Sequence, residues 1–145
     1  MFFLFHNPDG LPSEVRDFLR RDTLSWDEFE GVLHYFRHRR PELTIGAMLT
    51  FLYIARRCGS SGYGEGNRMT ISEVANGLNL SYPSAAKHCD VLSTGYGSRL
   101  GLAWIVKEEG EDKRMRTVRL AADGIDFLTN LVEELPNFRL PHPEG

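Results

Sequence analysis

The chain has 145 residues, 41% of them apolar and 26% charged, the proportions of an ordinary soluble globular protein. Its net charge of −3 excludes an indiscriminately cationic, histone-like binder but not a local basic patch, which is what nucleic acid responds to. At this length a single domain can bury about two-thirds of its unfolded surface.

Residues 1–24 read as an N-terminal extension or arm with a short helix. Met1-Phe2-Phe3-Leu4-Phe5 is greasy but lacks a basic start, and Asn7-Pro8-Asp9-Gly10 ends it too early for a signal peptide. The expectation is a strand or arm buried against something. Ser13 is the expected cap of a short helix with Val15, Phe18 and Leu19 inward. Ser25-Trp26-Asp27-Glu28 is a capping box, followed by Trp26, Phe29, Leu33 and Phe36 at helical spacing. This helix ends in Arg37-His38-Arg39-Arg40, cations suited to the negative end of the helix dipole, and Pro41 closes it. Thr44 opens a helix to about Arg57 that is apolar nearly all round, hence central to the domain. The run Gly59 to Gly66 is a flexible loop. The longest apolar stretch is about half a membrane span, so no membrane segment is expected. Two cysteines without pair spacing suggest a reducing, cytoplasmic setting.

The stretch from Met69 to Gly124 organises the rest. Thr70-Ile71-Ser72-Glu73 is a second capping box, and Ile71, Val74 and Leu78 share one side of a short helix. Asn79-Leu80-Ser81 breaks it, and Ser81 caps a second helix with Ala85, Cys89 and Leu92 inward. After a Gly-rich turn, Leu102 to Val106 and Thr117 to Leu120 read as strands joined by a charged tip, Lys107 to Arg116. Two helices and then a two-stranded ribbon with a basic tip is the order of a winged helix-turn-helix. The predicted fold is therefore mainly α with a small antiparallel β-wing. Beyond it, a last helix carries Ile125, Leu128, Val132 and Leu135, and residues 136–145 form a loose tail.

Residues from about Trp26 to Leu135 resemble the multiple-antibiotic-resistance regulator (MarR) family of winged-helix transcription factors. The most specific piece is Asp112-Lys113-Arg114 followed by Thr117 to Gly124, which is similar to the family's wing motif. Ser81 to Leu92 is similar to its recognition helix, with Lys87 at a usual basic position. The resemblance implies a homodimer built from helices at both ends, here residues 25–40 and 121–135, around a DNA-binding core at 69–120. It also implies that Arg114 enters a minor groove with Asp112 as its brace, while Ser81, Tyr82, Ser84 and Lys87 face the major groove or its phosphates. The family often senses phenolic ligands, so a small-molecule effector is a candidate partner. The Gly95 to Gly101 turn is longer than the family's compact one.

The residues support parts of this on their own. Arginine is drawn to the concentrated negative potential of a narrow minor groove, and Lys113, Arg116 and Arg119 add phosphate contacts. Ser84 and Lys87 lie early in a helix whose other side is apolar, where base-edge readers sit. The bland alternative is a solvated hairpin and an exposed helix without a ligand. The expected dimer buries two stripes, Trp26, Phe29, Leu33 and Phe36 on one helix and Ile125, Leu128, Val132 and Leu135 on the other.

Other chemistry is weaker. His34 and His38 have a metal-compatible spacing but no third ligand and basic neighbours, so no metal or cofactor is expected. Cys58 beside Arg56 and Arg57 is a candidate redox thiol or, by the apolar context, a buried inert one; Cys89 reads as packing. No phosphate loop, nucleophile elbow or zinc-protease motif occurs, and an enzyme is not expected. The expectation is a sequence-specific DNA-binding repressor acting as a homodimer, and the rival is a winged-helix module that binds a regulatory protein instead of DNA.

Overall fold

A computed structural model of the chain describes residues 11–58, 68–109 and 115–137. The expected N-terminal arm, the Gly59 to Gly66 loop, the wing tip with Asp112, Lys113 and Arg114, and the C-terminal tail from 138 lie outside the described residues. Among the described residues the architecture is mainly helical, with six α-helices, a three-stranded antiparallel sheet and a separate two-stranded hairpin. No helix among the described residues is long and apolar enough to cross a membrane.

Helix α1 (Ser13–Leu19) starts one residue earlier than expected: Ser13 is its first residue, Pro12 takes the N-cap position, and no side chain caps it. Leu11, Val15 and Leu19 are buried, and α1 packs against the third and last helices. It is thus part of the core rather than an appended arm. Helix α2 (Trp26–Arg39) carries the expected capping box, with Ser25 Oγ accepting from the Glu28 amide at 3.1 Å and Glu28 accepting from the Ser25 amide at 2.9 Å. Arg21 reaches the same carboxylate, and these hydrogen bonds, Arg21's foremost, hold the Glu28 carboxyl at about 2.

Helix α3 (Ile45–Cys58) runs through the middle, with Phe51, Ile54 and Ala55 fully enclosed and Thr44 accepting from the Ala47 amide at its start. Strand β1 (Met69–Thr70) leads into α4 (Ile71–Leu78), whose Thr70–Glu73 capping box is complete. Asn79 closes α4 at φ 56°, a left-handed cap that asparagine tolerates, and the chain turns at once into α5 (Tyr82–Leu92). Hairpin β2–β3 (Gly95–Tyr96, Arg99–Leu100) follows, then β4 (Ile105–Glu109), β5 (Arg116–Leu120), α6 (Ala122–Glu134) and a 3-10 turn, Leu135–Asn137. The sheet order is β1-β5-β4, with Met69 opposite Val118 and Lys107 opposite Val118 on the other edge.

The strands differ from expectation at the first ribbon. Leu102 to Trp104 is not strand, because Leu102, Ala103 and Trp104 spend their amides on the carbonyls of Val91, Ser93 and Leu92, closing the open end of α5. Ala103 takes φ 57° to make that return. The ribbon then begins at Ile105.

The core is aromatic. Trp104 stacks on Phe127 with ring centroids 4.1 Å apart, Phe51 lies 4.8 Å from Trp104, and Phe36 lies 4.9 Å from Phe127. Burying each such ring contributes about 1.5–3 kcal/mol. This cluster corrects the expected dimer stripes. Phe36, Ile125, Leu128 and Leu135 are buried within the one chain, and Val132 is half-buried against the same core. The reason is that α2 and α6 stack on each other, with Tyr35 5.2 Å from Phe127 and Arg39 bonded to Glu134 at 3.0 Å. Their apolar faces satisfy each other, so only Trp26, Phe29 and Leu33 of the expected residues remain outward.

Candidate nucleic-acid interface

Helix α5 presents one side to the core and one to solvent. Ala85, Cys89 and Leu92 are buried against α3 and α4, as their spacing dictates. Ser81, Tyr82, Pro83, Ser84 and Lys87 are exposed. Ser81 caps the helix by accepting from the Ser84 amide at 3.3 Å and donates its hydroxyl to Ser84 Oγ at 3.0 Å. Pro83 fits the first turn, where its missing N–H costs nothing. The result is an exposed helix start bearing two hydroxyls, a phenol and an ammonium group, all of which can bond base edges or phosphates.

The β4–β5 ribbon stands beside this helix. Lys107 Nζ on β4 donates to Asp90 Oδ1 on α5, and the two side chains are only 21% and 28% exposed. Ribbon and helix therefore hold a defined relation through an ion pair as well as through the backbone bonds of Leu102 to Trp104 to the end of α5. Along the ribbon the basic residues are less available than the sequence suggests. Glu108 accepts from Arg68 at 2.8 Å and from Arg119 at 3.4 Å, so Arg119 is directed to a carboxylate within the chain. Arg116 is exposed and sits opposite Glu109 in the ladder. Glu108 and Glu109, on the strand before the tip, offset part of the positive charge read from residues 113–119 alone.

The structure thus brings Ser81, Tyr82, Ser84 and Lys87 together on α5 and places Arg116 on the neighbouring ribbon. Asp112, Lys113 and Arg114 belong to the segment outside the described residues. Sequence reasoning missed Arg68, Asp90 and Arg99, and assigned Lys107 to the charged tip, whereas it lies within β4. The pairing of Lys107 with Asp90 has no sequence signal, because the two residues belong to different elements. Arg99 was legible in principle, since Tyr96-Gly97-Ser98-Arg99 is a two-residue hairpin turn with glycine first.

Two surface clefts adjoin these elements. One, of 360 Å³, lies between α5, the turn before α3 and the β2–β3 hairpin. The other, of 430 Å³, lies between α1, α2 and α3, with Phe18, Leu24, Leu49, Leu52 and Tyr53 as its apolar lining. His34 and His38 have stacked rings 6.3 Å apart, and no group of three metal-ligating side chains is found among the described residues. Both cysteines are buried and unpaired, and burial pushes each thiol up to about 12. The arginines beside Cys58 do not act on it: Arg56 donates to the Leu19 carbonyl at 2.9 Å and Arg57 lies over the Tyr53 ring at 3.4 Å. Of the two readings of Cys58, the buried, inert thiol is the one its surroundings support, because a reactive cysteine needs an accessible thiolate.

Comparison of the chain with protein-family profiles, curated proteins and solved structures finds no match.

Proposed function

We propose that the chain is a sequence-specific, duplex DNA-binding transcriptional repressor of winged-helix type, acting as a homodimer. The observation that carries this reading is the exposed start of α5 held against an antiparallel ribbon by the Asp90–Lys107 pair. Helix α5 would occupy the major groove, with Ser84 and Lys87 toward the bases and Ser81 and Tyr82 toward phosphates. The β4–β5 ribbon would follow the adjacent backbone through Arg116. The resemblance of its tip to the MarR wing supports Lys113 and Arg114 as further contacts, Arg114 in the minor groove with Asp112 beside it. Trp26, Phe29 and Leu33 on the outer face of α2 supply the apolar surface for a second copy. The acidic Asp27 and Glu30 early in α2 and the basic Arg37 and His38 late in it make an antiparallel α2–α2 pairing self-complementary in charge.

Selection of bound fragments from a random duplex library, followed by affinity measurement at several salt concentrations, tests the reading. Salt-sensitive binding to a pseudo-palindrome is expected, with Lys87→Ala and Arg114→Ala each lowering affinity and flattening the salt dependence. A second reading, a module that binds a regulatory protein, is favoured by one observation: Glu108 draws off Arg68 and Arg119 in an already acidic chain. Capture of one stoichiometric protein partner without any salt-sensitive duplex binding would select it.

A further inference from the structure

Helix α5 is flanked on both sides by β-structure. With about 100° between successive helical residues, Asp90 lies about 60° to one side of Lys87, and Val91 and His88 lie about 40° and 100° to the other. The Asp90 side holds the β4–β5 ribbon through Lys107. The opposite side faces the β2–β3 hairpin, and Lys87, His88, Val91, Arg99 and Leu100 line the same 360 Å³ cleft. Lys87 thus stands between two ribbons.

The hairpin is a built element. Gly95 pairs with Leu100 and Tyr96 with Arg99, across a turn in which Gly97 has φ 62° and Ser98 is not left-handed. That is the pattern of a type II′ turn, whose twist matches its strands and whose first position needs glycine. Its base is closed by the Gly101 amide on the Thr94 carbonyl at 3.1 Å and by the Leu102 amide on the Val91 carbonyl at 3.1 Å. Arg99 and Leu100 are both exposed, Leu100 to 93%.

The charges around the cleft favour an anion. Lys87 and Arg99 stand at its edge, and burial together with Lys87 lowers the His88 pKa, disfavouring its charged form. Glu42 is the carboxylate lining the cleft, and Arg40 lies 4.0 Å from it. Arg99 is thus exposed on a cleft edge that also carries Lys87, and the cleft's Glu42 has Arg40 beside it.

We propose that the β2–β3 hairpin is a second DNA-contacting ribbon, with Arg99 binding a backbone phosphate on the flank of α5 opposite the β4–β5 ribbon. This rests on the duplex-binding reading of α5. A guanidinium group meets a phosphate with two parallel hydrogen bonds, and such contacts set position and affinity without reading bases. Arg99 therefore acts on every bound sequence alike, unlike Ser84 and Lys87.

Fluorescence anisotropy on duplexes selected by the wild-type chain, with Arg99→Gln compared across about 50 to 200 mM salt, decides the matter. Arg99→Gln is expected to bind each selected duplex about three- to tenfold more weakly, with a salt slope shallower by about one and the same order of sequence preference. Equal affinity and equal slope overturn the hairpin contact while leaving the α5 reading intact. Absence of salt-sensitive binding by the wild-type chain overturns both.

Discussion

Lys107 on β4 donates to the carboxylate of Asp90 on α5, across a gap of seventeen residues that contains an entire hairpin. This pair ties helix to ribbon beside the backbone bonds that Leu102 to Trp104 make to the end of α5. Exposed ion pairs contribute about 0.2–1 kcal/mol, and this one is mostly covered, so the upper part of that range applies. A double-mutant cycle on Asp90→Ala and Lys107→Ala, followed by urea unfolding, should return a coupling of about 1 kcal/mol. Additive effects of the two changes would mean that the backbone bonds of Leu102 to Trp104 hold the ribbon to α5 without the pair.

Gly124 opens α6 where no side chain fits. A β-carbon there would lie 2.2 Å from the backbone carbonyl oxygen of Trp104, which accepts from the Ala121 amide at 2.9 Å. Because the obstacle is backbone, a rotamer change cannot relieve it. Gly124→Ala should lose about 1–3 kcal/mol in chemical unfolding, despite alanine's better helix propensity. A neutral or stabilising result would show that the β4 entrance yields easily.

The two thiols set a pH dependence with a defined sign. Folding raises both from about 9 to about 12, chiefly by burial. Their protonated forms support the fold fully below about pH 9, and that support is lost as the pH rises toward 12. The melting temperature should fall across that window, and less steeply in Cys58→Ala/Cys89→Ala. Iodoacetamide at pH 8 should leave both cysteines unmodified in the folded chain and alkylate both in denaturant; rapid labelling of native Cys58 would contradict its enclosure.

The outer face of α2 gives the fourth test. Trp26 is 81% exposed, with Phe29 and Leu33 beside it along the helix. Sedimentation equilibrium should show a dimer for the wild-type chain and a monomer for Trp26→Ser/Leu33→Glu, with unchanged helical circular dichroism. A wild-type monomer at all accessible concentrations would remove α2 from the proposed assembly.

Local signals in this sequence transferred well to structure. Ser25–Glu28 and Thr70–Glu73 are both complete capping boxes, and Ser81 begins α5, because each depends on neighbours within three residues. What stayed illegible depends on distant parts. The inward turn of Phe36 and Leu128 follows from α2 meeting α6, a contact that helical periodicity cannot assign to one chain or two. Likewise Leu102 to Trp104 have strand-like composition, but their amides are taken by the end of α5. At the candidate interface, Ser84 and Lys87 were legible from the apolar side of their helix. The neutralising Glu108 was not, since Arg68, Arg119 and Glu108 come from three separate segments.

The chain has two tryptophans, and their surroundings are opposites: Trp104 stacks on Phe127 with 4% of its surface exposed, and Trp26 stands almost bare beside Phe29. In a single copy their emission is accordingly separable, blue-shifted and shielded from iodide for the first, red-shifted and quenchable for the second, and pairing through α2 would shield the second as well. One protein solution thereby carries a built-in optical gauge of its interior and another of its outer surface.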